Sequence, residues 1–373
     1  MNGNIRVGNL FGIPFYVNPS WFLVLGLVTL TYGSELSLFP GLTGIMPWLL
    51  GFVASLLLFA SVLAHELGHS LVAIQQGIEV KSITLFLFGG LANLEKESKT
   101  PSEAFLVAIA GPAVSLLLFG LFTAIGIGTP ISGAFAAIVS LLASINLILA
   151  LFNLLPGLPL DGGNVVKSIV WKITGNQYKG VLFASRIGQF LGWLAVIIGI
   201  LAILGISQIG SFWTLLIGGF LLQNANNYAK SAQIQEKLSG LTAADAVIPD
   251  SPIIDSNLTL REFANEYVIG KRNWRKFLVT DAEGKLVGAI SVDSMRTIPT
   301  SQWNEVKVSD IIQSVENTTV IDSDKSLLDV LMLLEKAEIK QLPVVRENGV
   351  VIGLLEKASI LRLLEKQPQP NPV

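Results

Sequence analysis

Residues 47–76 read PWLLGFVASLLLFASVLAHELGHSLVAIQQ. The stretch holds no Lys or Arg and a single carboxylate. It exceeds the roughly 17–25 apolar residues that a helix needs to cross a bilayer. Within it lies His65-Glu66-Leu67-Gly68-His69, and His65 and His69 are the only histidines in the chain. Positions i and i+4 share one helical face, so both imidazoles can reach one metal ion. Glu66, beside the first imidazole, can take a proton from water at that ion. Two stray histidines on a surface helix would show the same spacing. Ionisable groups at membrane depth, however, cost about 2.5–3.5 kcal/mol each even on a lenient insertion scale, and are functional by default.

The composition around this stretch supports a bilayer. Charged residues make up 14% of the 373 residues, against roughly 25% in soluble domains. Residues 1–229 contain eight Lys or Arg, and the last 144 residues contain the other seventeen. The first part therefore reads as membrane and the second as soluble. A formal net charge of −2 gives no reason to expect nucleic acid as a partner. The chain has no cysteine, which excludes disulfides and thiolate metal sites. A transition metal must then use His, Asp or Glu, and zinc, one per chain, is the expected ion. No short basic region followed by a cleavage site opens the sequence, so no removable signal peptide is expected.

Six apolar runs are expected to span, at about 18–33, 47–76, 103–127, 133–155, 181–204 and 209–228. Loops at 34–46, 129–133 and 205–210 carry no Lys or Arg, whereas the others carry Lys81, Lys96, Lys99, Lys167, Lys172 and Lys179. By the positive-inside rule both termini face the cytosol. Residues 81–95 are β-branched and aromatic around Gly89-Gly90, too short for a spanning helix, and predict a β-hairpin at the membrane edge. Its edge must face protein or water, because lipid satisfies no backbone groups.

From about residue 241 an internal repeat of period 65 appears. Phe277-Leu-Val-Thr-Asp-Ala-Glu-Gly284-Lys-Leu-Val-Gly288 aligns with Leu342-Pro-Val-Val-Arg-Glu-Asn-Gly349-Val-Val-Ile-Gly353. Each copy reads helix, strand, turn, strand, helix. The period exceeds that of solenoid repeats, so two small α/β modules packed as a pair are expected.

A catalytic zinc needs a third protein ligand and an open position. The carboxylates near the apolar runs are Glu35, Glu79, Glu95, Glu97, Glu103 and Asp161. Asp161 stands out in Asn153-Leu-Leu-Pro-Gly-Leu-Pro-Leu-Asp161-Gly-Gly, a Pro- and Gly-rich segment able to turn a carboxylate inward. It could instead be the N-cap of a helix starting near Asn164.

Together these segments resemble the site-2 protease family of intramembrane zinc metalloproteases. The resemblance rests on His65-Glu66-Leu67-Gly68-His69, on Asn153-x-x-Pro156-x-x-x-Leu160-Asp161-Gly162, on Phe88-Gly89-Gly90 and on Ala110-Gly111-Pro112. It implies zinc held by His65, His69 and Asp161, with Glu66 as general base. It also implies a substrate that is a transmembrane segment of a single-span regulator, such as an anti-sigma factor or a membrane-tethered transcription regulator, cut in a bacterial inner membrane. The strand around Gly89 and Gly90 would pair with the unwound substrate and Asn153 would bond its backbone; a simple turn and a helix C-cap are the bland readings of these residues. Ser115 departs from the pattern, since some members carry Asn there.

The repeat resembles a pair of CBS modules, which often bind adenine nucleotides. The first copy, Gly288-Ala-Ile-Ser291-Val-Asp293-Ser294, keeps the hydroxyl of the usual ligand motif with its acid one position early. The second, Gly353-Leu-Leu-Glu356-Lys-Ala-Ser359, loses both. Nucleotide binding stays open at the first copy and is disfavoured at the second; a structural or homodimerising pair carries equal weight.

The expected architecture is an α-helical polytopic membrane protein of about six transmembrane helices with a short membrane-associated β segment, followed by a cytosolic α/β CBS pair. The expected divisions are a transmembrane domain at 1–229, a linker at 230–240, modules at 241–300 and 301–366, and a disordered tail at 367–373. A CBS-gated metal-ion or proton transporter using the same His, Glu and Asp is the competing class. Transport needs no hydrolytic base, and Glu66 beside His65 argues for the protease.

Overall fold

The computed structural model describes residues 3–87, 89–269, 274–314 and 319–366, in two compact units, Met1–Gln233 and Ile234–Val373. Phe88 and the 367–373 tail lie outside the described residues.

The first unit opens with a hairpin, Ile5–Leu10 (β1) and Ile13–Val17 (β2). Asn18 then caps a helix, its side chain accepting from the Ser20 N–H at 3.0 Å, with Pro19 in the first turn where no N–H is needed. That helix, Pro19–Leu36 (α1), and Met46–Gln75 (α2) form a crossover from β2 to Val80–Phe86 (β3). Such a crossover allows β2 and β3 to pair in parallel, with Phe15 opposite Ile83 and Val17 opposite Leu85. Gly89–Leu94 (β4) folds back antiparallel on β3, with Phe86 opposite Gly89. The strand order is β1-β2-β3-β4. The expected hairpin therefore forms, as half of a sheet whose β1 and β2 were not anticipated. Ile13, Ala73, Ile78, Val80 and Ile83 bury one face of it.

Helices Pro101–Gly128 (α3), Gly133–Asn153 (α4), Asp161–Thr174 (α5), Gln177–Ile203 (α6) and Phe212–Leu238 (α7) follow. A capping box, Thr100 with Glu103, starts α3. Gly175, at φ 69°, ends α5. Four helices, α2, α3, α4 and α6, are long and apolar enough to cross a membrane. Their outward faces are apolar: Leu117 is 73% exposed and Ile127 83%. Such faces suit lipid rather than water. The first and sixth expected spans form helices but fall short of that mark. α1 ends in Tyr32, Ser34 and Glu35, and α7 turns polar at Gln223-Asn224. Helix packing uses small residues, as expected where lipid replaces water: a Cβ on Gly51 would lie 2.7 Å from the Gly33 nitrogen. Residues 230–238, expected as linker, are the last turns of α7.

The second unit holds two sheets. Ile253–Asp255 (β5), Lys276–Thr280 (β6), Leu286–Ser291 (β7) and Gln313–Ser314 (β8) form one, with Leu260–Phe263 (α8) following β5. Ile321–Asp322 (β9), Leu327–Lys336 (α9), Gln341–Val345 (β10), Val351–Glu356 (β11) and Lys357–Lys366 (α10) build the other copy. The period of 65 is visible in atoms. Gly284 and Gly349 both sit at left-handed φ, 78° and 82°, in the β6–β7 and β10–β11 turns. The Val351 N–H donates to the Gly284 carbonyl at 2.9 Å, and Leu286 donates reciprocally to Gly349 at 3.4 Å. The cores also exchange segments: Ala243 and Ala246 pack with Ile321, Leu327 and Leu355, while Val308 packs with Ile254, Phe263 and Phe277. Each copy thus completes its core with the strand-leading segment of the other.

Candidate metal centre

Three elements converge on one point in the first unit. The last turns of α2 carry His65, Glu66 and His69. The start of α5 supplies Asp161. The middle of α3 lies across them at Ala110-Gly111-Pro112.

Glycines set how near these elements come. A Cβ on Gly68 would lie 2.9 Å from the Ala110 carbonyl oxygen, so Gly68 lets the backbones of α2 and α3 approach closely. A Cβ on Gly111 would strike His69 Nε2 and lie 2.7 Å from His65 Nε2. After α4 the chain turns back on itself. A Cβ on Gly162 would strike the Leu154 carbonyl, and one on Gly163 would lie 2.7 Å from the Gly157 oxygen. The buried Leu158 anchors this turn to α6, its N–H donating to Ala184 at 3.1 Å. Asp161-Gly162-Gly163 is therefore a helix start folded tightly under its own loop. Leu160 is the N-cap and Asp161 the first helical residue, so the N-cap reading of Asp161 does not hold.

Asp161 Oδ2 lies 3.0 Å from His65 Nε2 and 3.2 Å from His69 Nε2, and the two Nε2 atoms are 3.3 Å apart. The far nitrogens are fixed from behind. His69 Nδ1 is 2.6 Å from the Val107 carbonyl oxygen. A carbonyl only accepts, so Nδ1 carries the proton and Nε2 presents its lone pair. His65 Nδ1 is 2.9 Å from Ser115 Oγ, which accepts from it in the matching tautomer. Two imidazole lone pairs and a carboxylate oxygen then face one another. A shared cation satisfies that arrangement, and a two-His, one-carboxylate set held by outer hydrogen bonds suits zinc. Ser115, noted in the sequence only as a departure, is the residue behind His65; its place three residues beyond Pro112 gave no signal of that contact.

Glu66 projects beside the cluster against β4. A Cβ on Gly90 would strike Glu66 Cγ and lie 2.9 Å from Oε1, so Gly90 makes room for the acid. Gly89, at φ 133°, has open space around it, and its backbone conformation is what restricts a side chain there. Asn153 ends α4 with its Nδ2 donating to the Leu149 carbonyl at 3.0 Å, while Leu154 is the C-cap.

A cavity of about 370 Å³ joins these groups. His65, Glu66, His69, Asp161, Gly90 and Asn153 all line it. Glu35, Glu79, Glu95 and Glu103 do not; Glu97 does, paired with Lys167. In the second unit Ser291 is engaged locally, accepting from the Ser294 N–H at 3.1 Å, and Asp293 pairs with Arg296 at 3.4 Å.

Residues 53–195 match the family profile described as Peptidase family M50, and residues 308–366 match the CBS domain. Over 365 residues, 98% of this chain and 96% of the relative, the sequence is 61% identical to a Synechocystis sp. protein provisionally named zinc metalloprotease sll0528. It is 31% identical over 387 residues to a Mycobacterium tuberculosis protein provisionally named zinc metalloprotease Rip3, covering 100% of this chain and 96% of that one. A solved site-2 protease from Methanocaldococcus jannaschii is 26% identical, with a TM-score of 0.45 over 61% of this chain and 95% of that chain.

Proposed function

The chain belongs to peptidase family M50, the site-2 proteases, as a zinc metalloendopeptidase with C-terminal CBS domains, and on that premise we propose that it hydrolyses a transmembrane segment of a single-span regulatory protein. The observation that carries the proposal is the convergence of His65 Nε2, His69 Nε2 and Asp161 Oδ2, with Glu66 in the same cavity. His65, His69 and Asp161 hold the zinc. When bound, zinc polarises the scissile carbonyl and lowers the pKa of water to about 7.

Glu66 takes the proton of the attacking water and returns it to the leaving amine nitrogen. Gly90 leaves room for its carboxylate against β4 during both transfers. The substrate helix must unwind to expose its backbone. Among the described residues β4 pairs with β3 alone, and the unwound chain adds as a further strand along the Gly89–Leu94 edge. Gly89 and Gly90 allow close approach, and Asn153 receives the backbone near the scissile bond. Loop charges orient the cavity toward the cytosol of a bacterial inner membrane, with both termini on that side. An anti-sigma factor or membrane-tethered transcription regulator fits this substrate class. The CBS pair modulates cleavage from the cytosol, as a homodimerising or nucleotide-binding module.

The test is bound zinc and cleavage of single-span substrates by wild type and Glu66→Gln. Glu66→Gln keeps stoichiometric zinc and loses cleavage. Normal cleavage by Glu66→Gln refutes the assignment of the base, and wild-type protein purified without zinc refutes the assignment of the ligands.

A further inference from the structure

The cavity wall carries a cation that the hydrolysis above does not use. Among the described lining residues Lys167 is the one Lys or Arg. It belongs to a stripe along α5, Asp161, Asn164, Lys167 and Trp171, whose members are three or four residues apart. Its side chain is 14% exposed. Nζ lies 2.9 Å from Glu97 Oε2, and the same oxygen accepts from Gln177 Nε2 at 2.6 Å.

The two partners are held very differently. Lys167 is fixed: α6 presses on its backbone, where a Cβ on Gly180 would strike the Lys167 carbonyl. Glu97 is 63% exposed, on the connection between β4 and α3. The Glu97 carboxylate is already mostly solvated, so its own return to water costs little. A buried ammonium without an anion is far costlier, so whatever displaces Glu97 must bring a negative charge. The position also suits a substrate subsite. Six helical residues separate Asp161 from Lys167, about 9 Å of rise. An extended chain covers that in about three residues.

We propose that Lys167 is a specificity-determining residue, its ammonium receiving an acidic side chain of the substrate about two to four residues from the scissile bond in exchange for Glu97. The proposal rests on the proteolytic reading above. The exchange gives the cavity a charge requirement at one end and the zinc site at the other, which fixes the register of a chain that backbone pairing alone would let slide.

The experiment uses the full-length protein in proteoliposomes with otherwise uncharged single-span substrates. One position at a time, from four residues before the scissile bond to four after it, is made Asp, Asn or Lys. Wild type cleaves the Asp substrate about tenfold faster in kcat/KM than its Asn counterpart at one position on one side of the bond, the scale of a charge-assisted hydrogen bond. Lys167→Glu reverses the order there, favouring Lys over Asp. Glu97→Gln raises the Asp-to-Asn ratio, because the internal competitor is gone. A flat profile for wild type overturns the proposal, as does an unchanged profile in Lys167→Glu. If Lys167→Glu does not fold, Glu97→Gln decides alone: an unchanged ratio overturns it. Failure of wild type to cut any substrate in a chelator-sensitive way would instead sink the proteolytic reading.

Discussion

Gly111→Ala puts one methyl group where the His65 and His69 imidazoles meet. In the helix interior, alanine is favoured over glycine by roughly 0.5–1 kcal/mol, so local propensity predicts a slightly more stable α3. The site predicts the opposite for function. The new Cβ would lie 2.7 Å from His65 Nε2 and from His69 Cε1, against 3.4 Å for ordinary contact, a deficit of 3.4 − 2.7 = 0.7 Å. Metal–ligand distances tolerate about 0.2 Å. Both imidazoles must therefore turn away, and turning them breaks the bonds to Ser115 and Val107 that aim them. Loss of such supporting bonds alone costs about 10–100-fold in metal affinity. The expected outcome is at least a 100-fold weaker zinc affinity, measured by competition with a chromophoric chelator. Cleavage should be absent at limiting zinc, with helical circular dichroism and expression at wild-type level. Gly111→Ala protein that binds zinc as wild type does and cleaves normally would refute the steric argument.

Other perturbations probe the supports. Ser115→Ala removes the oxygen behind His65 while leaving the ligand itself, and zinc affinity should fall about 10–100-fold, read in the same competition assay; an unchanged affinity removes Ser115 from the site. In the second unit, hydrogen bonds from the Thr259 backbone N–H and hydroxyl hold the Glu262 carboxyl below the usual glutamate range. A depressed folded-state pKa stabilises above the unfolded value and is lost as pH falls through the folded one. Melting of the second unit should thus drop between the usual glutamate range and lower pH, and Glu262→Gln should flatten that part of the profile; identical profiles would remove the capping box from the account.

The site was legible where chemistry dictates residue type. His65, Glu66 and His69 announce themselves because a helix brings i and i+4 together whatever surrounds them. The approach of Asp161 to the two imidazoles, 96 positions beyond His65, was readable only as a motif, since it is made by backbone: Gly162 and Gly163 fold α5 under its own loop, and glycines carry no signature of what they touch. The β3–β4 hairpin was visible in β-branched residues around a Gly pair. Its partners β1 and β2 were not, although Ile5, Val7, Ile13 and Phe15 alternate around Phe11-Gly12, a turn with φ 52° and 83°. The pairing of β2 with β3 spans two helices of chain, and local pattern cannot show a parallel neighbour that far away. The first and sixth expected spans form helices that are less apolar than the other four for one reason. Apolar windows were read from about 18 and 209, but α1 ends in Tyr32-Gly33-Ser34-Glu35 and α7 turns into Gln223-Asn224-Ala225-Asn226-Asn227 after Leu222. Helix continues through such residues because backbone hydrogen bonds do not depend on side-chain polarity, whereas crossing lipid does. The same separation of backbone from side chain explains the CBS pair. Gly284 and Gly349 fixed the repeat at 65 residues through their left-handed turns, yet the exchange of Ala243 and Val308 between cores follows from how two copies share one interface, which neither copy's sequence contains alone.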